Sequence, residues 1–196
     1  MNDERSFQRA LEEFNPINQQ EEADKRLFLK LLSEGDSIFF RENAAAHISA
    51  SGWVVNQTMD QVLMAYHNIY HSWAWTGGHA DGEKDLLSVA VREAKEETGI
   101  RTVTPVMDKI FSLEVLTVDG HEKNGVYVSS HLHLNVTYLL KGDDREHIRS
   151  KEDENSKVGW FSFNKCLEAV NEPWMKERIY KKLIKKMEML FPFVRF

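Results

Sequence analysis

Apolar positions along this chain recur first at helical spacing, then at strand spacing, then at helical spacing again. Phe7, Leu11 and Phe14 lie one helical turn apart until Asn15-Pro16 breaks the run, and Leu27, Leu29, Leu31 and Leu32 carry a second helical stretch ending near Gly35. Residues 48–55 and 61–66 read as paired strands joined by a polar turn at Asn56-Gln57-Thr58. Residues 102–118 and 126–140 read as the arms of a long hairpin, because the intervening 119–125 holds Asp-Gly and Asn-Gly turn signals. A short strand follows at 158–161. The C-terminus is helical, with Trp174, Ile179, Leu183, Met187 and Leu190 roughly periodic and Lys176, Lys181, Lys182, Lys185 and Lys186 on what reads as a solvated face. Residues 1–35 thus form an N-terminal helical extension, suited to packing or a homodimer contact, and residues 36–196 form the main domain. The chain shows no internal repeat or low-complexity tract.

The strand from His131 to Leu140 alternates with period two. His131, His133, Asn135 and Thr137 face one way, and Leu132, Leu134, Val136 and Tyr138 the other. Such a strand either borders water or lines a polar cavity.

Composition narrows the class. At 196 residues, 42% hydrophobic and 29% charged, the chain is long enough for one well-cored domain of ordinary soluble character. Its single cysteine, Cys166, rules out an internal disulfide and fits a reducing, cytoplasmic compartment; its helical context predicts a buried thiol, not a nucleophile. No apolar run approaches the ~18 residues of a membrane span. The first residues, Met1-Asn-Asp-Glu-Arg, are polar and acidic, unlike a secretory signal. A net charge of −6 argues against binding a nucleic acid polymer through its phosphates.

The densest chemistry lies between Gly78 and Ile100. A glycine loop feeds a helix whose last turns hold Arg92, Glu93, Glu96 and Glu97, and Gly99 then stops it. At about 100° per residue the three carboxylates fall within an arc of about 100°. They repel one another unless a cation sits among them, and hard oxygen donors suit Mg²⁺ or Mn²⁺.

This segment resembles the Nudix box: Gly, five residues, Glu, seven residues, then Arg-Glu-aliphatic-x-Glu-Glu-x-Gly-aliphatic. Every fixed position matches except one, where Lys84 stands in place of the usual Glu between Glu83 and Asp85. Restoring it by Lys84→Glu is expected to be tolerated. The resemblance covers roughly residues 45–170. It implies an α/β fold, a Nudix-type α/β/α sandwich with a mixed sheet, and in that fold the polar face of the 131–140 strand lines a cavity. It also implies a divalent-metal-dependent hydrolase that opens a diphosphate bond, in a nucleoside diphosphate linked to another group or a related small-molecule organic diphosphate. Carried onto this chain, Glu93, Glu96 and Glu97 are metal ligands with the Gly78 carbonyl, and Arg92 orients Glu93. Glu93 and Glu154 are the candidates for general base, and both serve equally as plain ligands; Glu97 is counted among the catalytic groups.

A second resemblance is to isopentenyl diphosphate isomerases. His47-Ile-Ser-Ala-Ser-Gly-Trp53 is similar to their His-x-x-x-Ser-x-Trp/Tyr strand, Gly77-Gly78-His79 to their Cys-Gly-His, and Glu152-Asp153-Glu154 to their downstream glutamates. The catalytic cysteine of those enzymes is Gly77 here, and this chain keeps the intact Arg-Glu and Glu-Glu pairs that they depart from, which favours hydrolysis. By this resemblance His79 is a metal ligand and His47 joins it or shapes the pocket. His47, His133 and Trp75 are candidate substrate contacts. A structural role for each histidine stays open, as do an isomerase-like enzyme and a non-catalytic Nudix-like binding module.

Overall fold

The computed structural model describes residues 3–69, 71–123, 125–151 and 155–194. Glu154, with its neighbours Glu152 and Asp153, lies outside the described residues. The chain divides into two compact units. One comprises residues Met1–Ala50, Gly78–Val89 and Asp108–Tyr138, the other Ser51–Gly77, Ala90–Met107 and Leu139–Phe196. Among the described residues, no helix is long and apolar enough to cross a membrane.

The first unit opens with helices α1 (Asp3–Glu13) and α2 (Gln19–Ser33). The side chain of Asn18 caps α2 by accepting the Glu21 N–H. Phe7, Leu11 and Phe14 are buried as their spacing predicts. On α2, however, the leucines at 27, 29, 31 and 32 are half-exposed, while Glu21 and Phe28 are fully buried. Polar anchoring sets the docked face. Glu21 accepts the Ile17 N–H at 3.0 Å and the Ser112 hydroxyl at 2.7 Å, and Asp24 accepts the Val115 N–H at 3.2 Å. The contacts with Ser112 and Val115 seat α2 on strand β6, and the Ser112 hydroxyl together with the Ile17 N–H satisfies a carboxylate that would otherwise be costly to bury. A 3₁₀ turn at Asp36–Phe39 follows, with Phe39 buried and its ring 5.8 Å from that of Phe7.

The chain continues through β1 (Ala46–Val55), buried throughout, β2 (Gln61–His67), β3 (Ser72–Ala74) and β4 (Thr76–His79) to helix α3 (Leu86–Thr98). Next come β5 (Val103–Pro105), β6 (Ser112–Val118), β7 (His121–Lys123), β8 (Val126–Val128), β9 (His131–Gly142) and β10 (Asn155–Ser162). Strand order in the sheet is β10-β2-β1-β9-β5, with β3 on β2, β4 on β1 and β6 on β9. The expected long hairpin is present, but its first arm is split into β5 and β6. Strand β6 pairs antiparallel with β9 from Ser112↔Thr137 to Val118↔His131, and β5 pairs with the far end of β9, Val103↔Gly142. The tip forms its own small hairpin, His121↔Val128.

In the second unit β10 pairs antiparallel with β2 over its length, well beyond the short strand expected at 158–161. Trp53 stacks between Phe163 and Tyr180 at centroid distances of 6.2 and 5.9 Å. Helix α4 (Phe163–Ala169) holds the buried Cys166, whose thiol burial pushes up to about 12, so it is no nucleophile. The C-terminal helical run keeps the middle of its expected stripe. A π-helical turn at Met175–Tyr180 precedes α5 (Lys181–Leu190). Ile179, Leu183 and Met187 are buried as their spacing predicts, together with Tyr180 and Ile184, while Trp174 and Leu190 at the two ends are exposed. Lys182 and Lys186 are 5% exposed, so the lysine run is not one solvated face.

Candidate active site

Helix α3 is built for a fixed start and a fixed stop. The Asp85 carboxylate accepts the Ser88 N–H at 3.1 Å and its hydroxyl at 2.7 Å, capping the N-terminus. At the other end the Gly99 N–H returns to the Lys95 carbonyl at 2.9 Å, with Gly99 at φ +66°, a conformation glycine adopts without strain. Leu86, Val89, Ala90 and Ala94 are buried and anchor the helix.

That register decides how the box carboxylates differ. Glu97 is 8% exposed, and its Oε1 accepts the Gly77 N–H at 2.7 Å. Its own backbone carbonyl accepts the Asn155 side-chain amide at 3.0 Å, and Asn155 Oδ1 in turn accepts the Lys151 N–H. Glu93 is half-buried, and the Arg92 guanidinium donates to its Oε1 at 3.1 Å while standing 3.8 Å from Glu96 Oε1. Arg92 therefore engages Glu93 directly and lies close to Glu96. Glu96 is open to solvent. Glu93, Glu96 and Glu97 supply hard, anionic oxygen donors of the kind that suit a divalent cation such as Mg²⁺ or Mn²⁺. Asn155 was invisible as a site residue in the sequence, since an isolated asparagine carries no periodic signal.

Lys84, the one departure from the box pattern, has a structural role of its own. Its ammonium pairs with Asp36 at 2.7 Å and lies 5.4 Å from the Phe39 ring centroid, tying the loop before α3 to the 3₁₀ turn. Two further contacts hold the same loop. Arg41 forks the Asp81 carboxylate and keeps it below the usual carboxylate range, and the Gly82 N–H donates to the Phe39 carbonyl at 2.9 Å. At φ +89°, Gly82 has no room for a side chain, since a Cβ there would meet the Phe40 ring at 2.7 Å. The expectation that Lys84→Glu is tolerated accordingly changes. Two carboxylates would face each other, and we expect a loss of roughly 1 kcal/mol, a few degrees in Tm. Thermal scans of Lys84→Glu with and without Asp36→Lys check this: the charge swap restores the midpoint, and an unchanged single variant contradicts the argument.

The polar face of β9 turns inward. Asn135 and Thr137 are 1% and 0% exposed, so this part of the strand does not face solvent. Asn135 Nδ2 and the Thr137 hydroxyl both donate to Glu114 Oε2, at 2.9 and 2.7 Å, and the Ser49 hydroxyl donates to Asn135 Oδ1 at 3.1 Å. Above this network sit four histidines. The ring of His47 lies 5.0, 4.8 and 4.9 Å from those of His79, His131 and His133. Burial, together with the neighbouring imidazoles, lowers the His133 pKa to about 3, and desolvation lowers that of His47, so both rings are neutral near pH 7. Sequence reasoning singled out His47, His79 and His133 but not His131 as a site residue, although His131 sits two residues before His133 on the same face. Trp75 lies in the core at 9% exposure, edge-on to the Tyr180 ring at 5.5 Å.

Comparison with known proteins adds the following. The profile of the NUDIX domain matches residues 46–183. A Caenorhabditis elegans Ap4A hydrolase in a binary complex shares 19% identity over 74% of this chain and 97% of its own, with a TM-score of 0.53. A MutT protein from Methanosarcina mazei Go1 shares 19% identity over 71% of this chain and 93% of its own, with a TM-score of 0.52. A NUDIX-family hydrolase from Clostridium perfringens shares 20% identity over 74% and 97%, with a TM-score of 0.50. At these identities the likeness is one of fold. A search of curated protein sequences returned no match.

Proposed function

The chain belongs to the Nudix hydrolase family, and from that premise we propose that it cleaves the diphosphate bond of a nucleoside diphosphate linked to another group, or of a related organic diphosphate, with Mg²⁺ or Mn²⁺. The observation that carries this reading is the arrangement on α3: Glu97 pinned by the Gly77 N–H, and Glu93 and Glu96 held from one side by Arg92. Glu93, Glu96 and Glu97, with the Gly78 carbonyl, would hold the cation. Bound there, it supplies charge neutralisation of the phosphate oxygens and Lewis acidity toward water.

The chain's own residues supply position and charge. The buried hydrogen bond to Gly77 fixes the Glu97 carboxylate, so little reorganisation is needed when substrate arrives. Arg92 is a positioning residue: it contacts carboxylates and sets their planes. Glu93, half-buried and hydrogen-bonded to Arg92, would take a proton from attacking water, with Glu154 as the alternative base. Phosphoryl chemistry of this kind asks for little else from the protein.

The test is a substrate panel of nucleotide sugars, dinucleotides including Ap4A, nucleoside triphosphates, and prenyl and CoA diphosphates, assayed with Mg²⁺ and with Mn²⁺. Hydrolysis of at least one class, stopped by a chelator and restored by cation, is expected. Turnover that ignores the chelator, or failure to hydrolyse any class, overturns the proposal. Rearrangement of an isoprenoid diphosphate without phosphate release would put the isomerase reading in its place.

A further inference from the structure

The histidine cluster carries chemistry that the carboxylate helix does not use. Strands β1, β4 and β9 bring one ring nitrogen each from His47, His79 and His133 within 4.8 Å of one another. His133 Nε2 lies 3.2 Å from His79 Nε2 and 3.2 Å from His131 Nε2. We propose that His47, His79 and His133 form a binding site for a late first-row divalent transition ion, with Zn²⁺ as the reference, and that His131 stands beside it as a further imidazole.

The hydrogen bonds of the cluster leave ring nitrogens whose lone pairs a cation would take up. His47 Nδ1 meets the Asn43 carbonyl at 3.1 Å, and a carbonyl only accepts, so that nitrogen carries the proton and Nε2 carries the lone pair. That Nε2 is buried, on a residue 4% exposed, and has no hydrogen-bond partner among the described residues. His131 Nδ1 meets the Ser129 carbonyl at 2.8 Å, so its Nε2 is likewise a lone pair. His133 Nε2 faces two other Nε2 atoms. If it is protonated, its single N–H points at one neighbour and leaves the other contact unmade. If it is not, its contact with His131 sets lone pair against lone pair. Either way His47 Nε2 remains an unsatisfied buried acceptor, which is costly to leave so.

An ion held by the three rings would give the orphaned His47 nitrogen a partner. Imidazoles that ligate metals give their second ring N–H to a backbone carbonyl or carboxylate, as His47 does to Asn43. Zn–N bonds of about 2.0–2.1 Å set neighbouring nitrogens of a tetrahedral site about 3.4 Å apart, close to the 3.2 Å observed. The widest separation within the trio, at most 4.8 Å, asks for a closure of about 1.4 Å, a small rotation of one ring. Neutral nitrogen donors select zinc, nickel, iron or copper over Mg²⁺, the opposite preference to the glutamates of α3. Three ligands leave a coordination position open to water or an anion.

The experiment is a calorimetric titration of the chelator-treated, full-length protein with Zn²⁺ in a large excess of Mg²⁺, paired with Co²⁺ titration read by visible absorption. One Zn²⁺ per chain, undisturbed by Mg²⁺, and the intense bands of low-coordinate cobalt are expected. His79→Gln and His133→Gln, both at partly exposed positions, are each expected to weaken Zn²⁺ binding at least 100-fold. Glu97→Gln is expected to keep it, which separates this site from the one proposed for hydrolysis. Absence of Zn²⁺ binding in the presence of Mg²⁺, unchanged affinity in both histidine variants, or loss of binding in Glu97→Gln would each overturn the proposal. The cobalt spectrum of the unmodified chain decides the matter even if a variant fails to fold.

Discussion

Glu97→Gln is expected to lower turnover by on the order of 100-fold or more while leaving the folded chain intact. The carboxylate is nearly buried, and Oε1 accepts the Gly77 N–H at 2.7 Å. A glutamine carbonyl can take over that hydrogen bond, so the loop and helix keep their relation. What disappears is one unit of negative charge from the carboxylates carried by the last turns of α3. Without cation the cluster is self-repulsive, so the midpoint of thermal unfolding should hold or rise slightly in a chelated sample. Activity on whichever panel compound the protein hydrolyses, alongside circular dichroism, checks both halves. Turnover like that of the unmodified chain would remove α3 from the catalytic site.

Glu114→Ala is expected to cost stability instead, by about 3 kcal/mol, or roughly 6–12 °C in midpoint. Glu114 is 0% exposed and its Oε2 accepts from both Asn135 and Thr137, themselves 1% and 0% exposed. Truncation leaves two buried donors facing a cavity that neither can fill. Glu114→Gln keeps an acceptor in place and should lose less than half as much. Urea unfolding of the two variants provides the comparison, and an alanine variant within about 1 kcal/mol of the parent would show that water replaces the carboxylate at little cost.

The two carboxylates mark what could and could not be read from the sequence. Glu97 was legible because it belongs to a run of fixed positions between glycines, and the helix spans Leu86–Thr98 as that run requires. The inward turn of Asn135 and Thr137 was half-legible: period-two alternation gave the face, and only the fold could say what covered it. Glu114 and Glu21 were not legible. A charged residue reads as solvated unless its partners are known, and those partners lie across a strand pair or far along the chain: Asn135 opposite Glu114, Ser112 against Glu21. Ser112 and Glu114 do alternate in step with Thr137 and Asn135 opposite, which is the signal that a register assignment would have exposed. At the C-terminus the stripe was legible at Ile179, Leu183 and Met187, and the burial of Lys182 and Lys186 was not, because a lysine reads as solvated until its surroundings are known.

The seating of α2 on β6 bears on how small this protein can be made. The family profile begins at residue 46, yet Ser112 and Val115, well inside the matched region, find hydrogen-bond partners at Glu21 and Asp24. Phe7, Leu11, Phe14 and Phe28 bury their side chains in that same unit. A version trimmed to the matched segment would present an uncovered apolar face and a strand with unmet polar groups, the combination that drives chains to associate nonspecifically. The minimal autonomously folding piece is therefore larger than the homologous one, and the border of shared ancestry is not a border at which the chain can be cut.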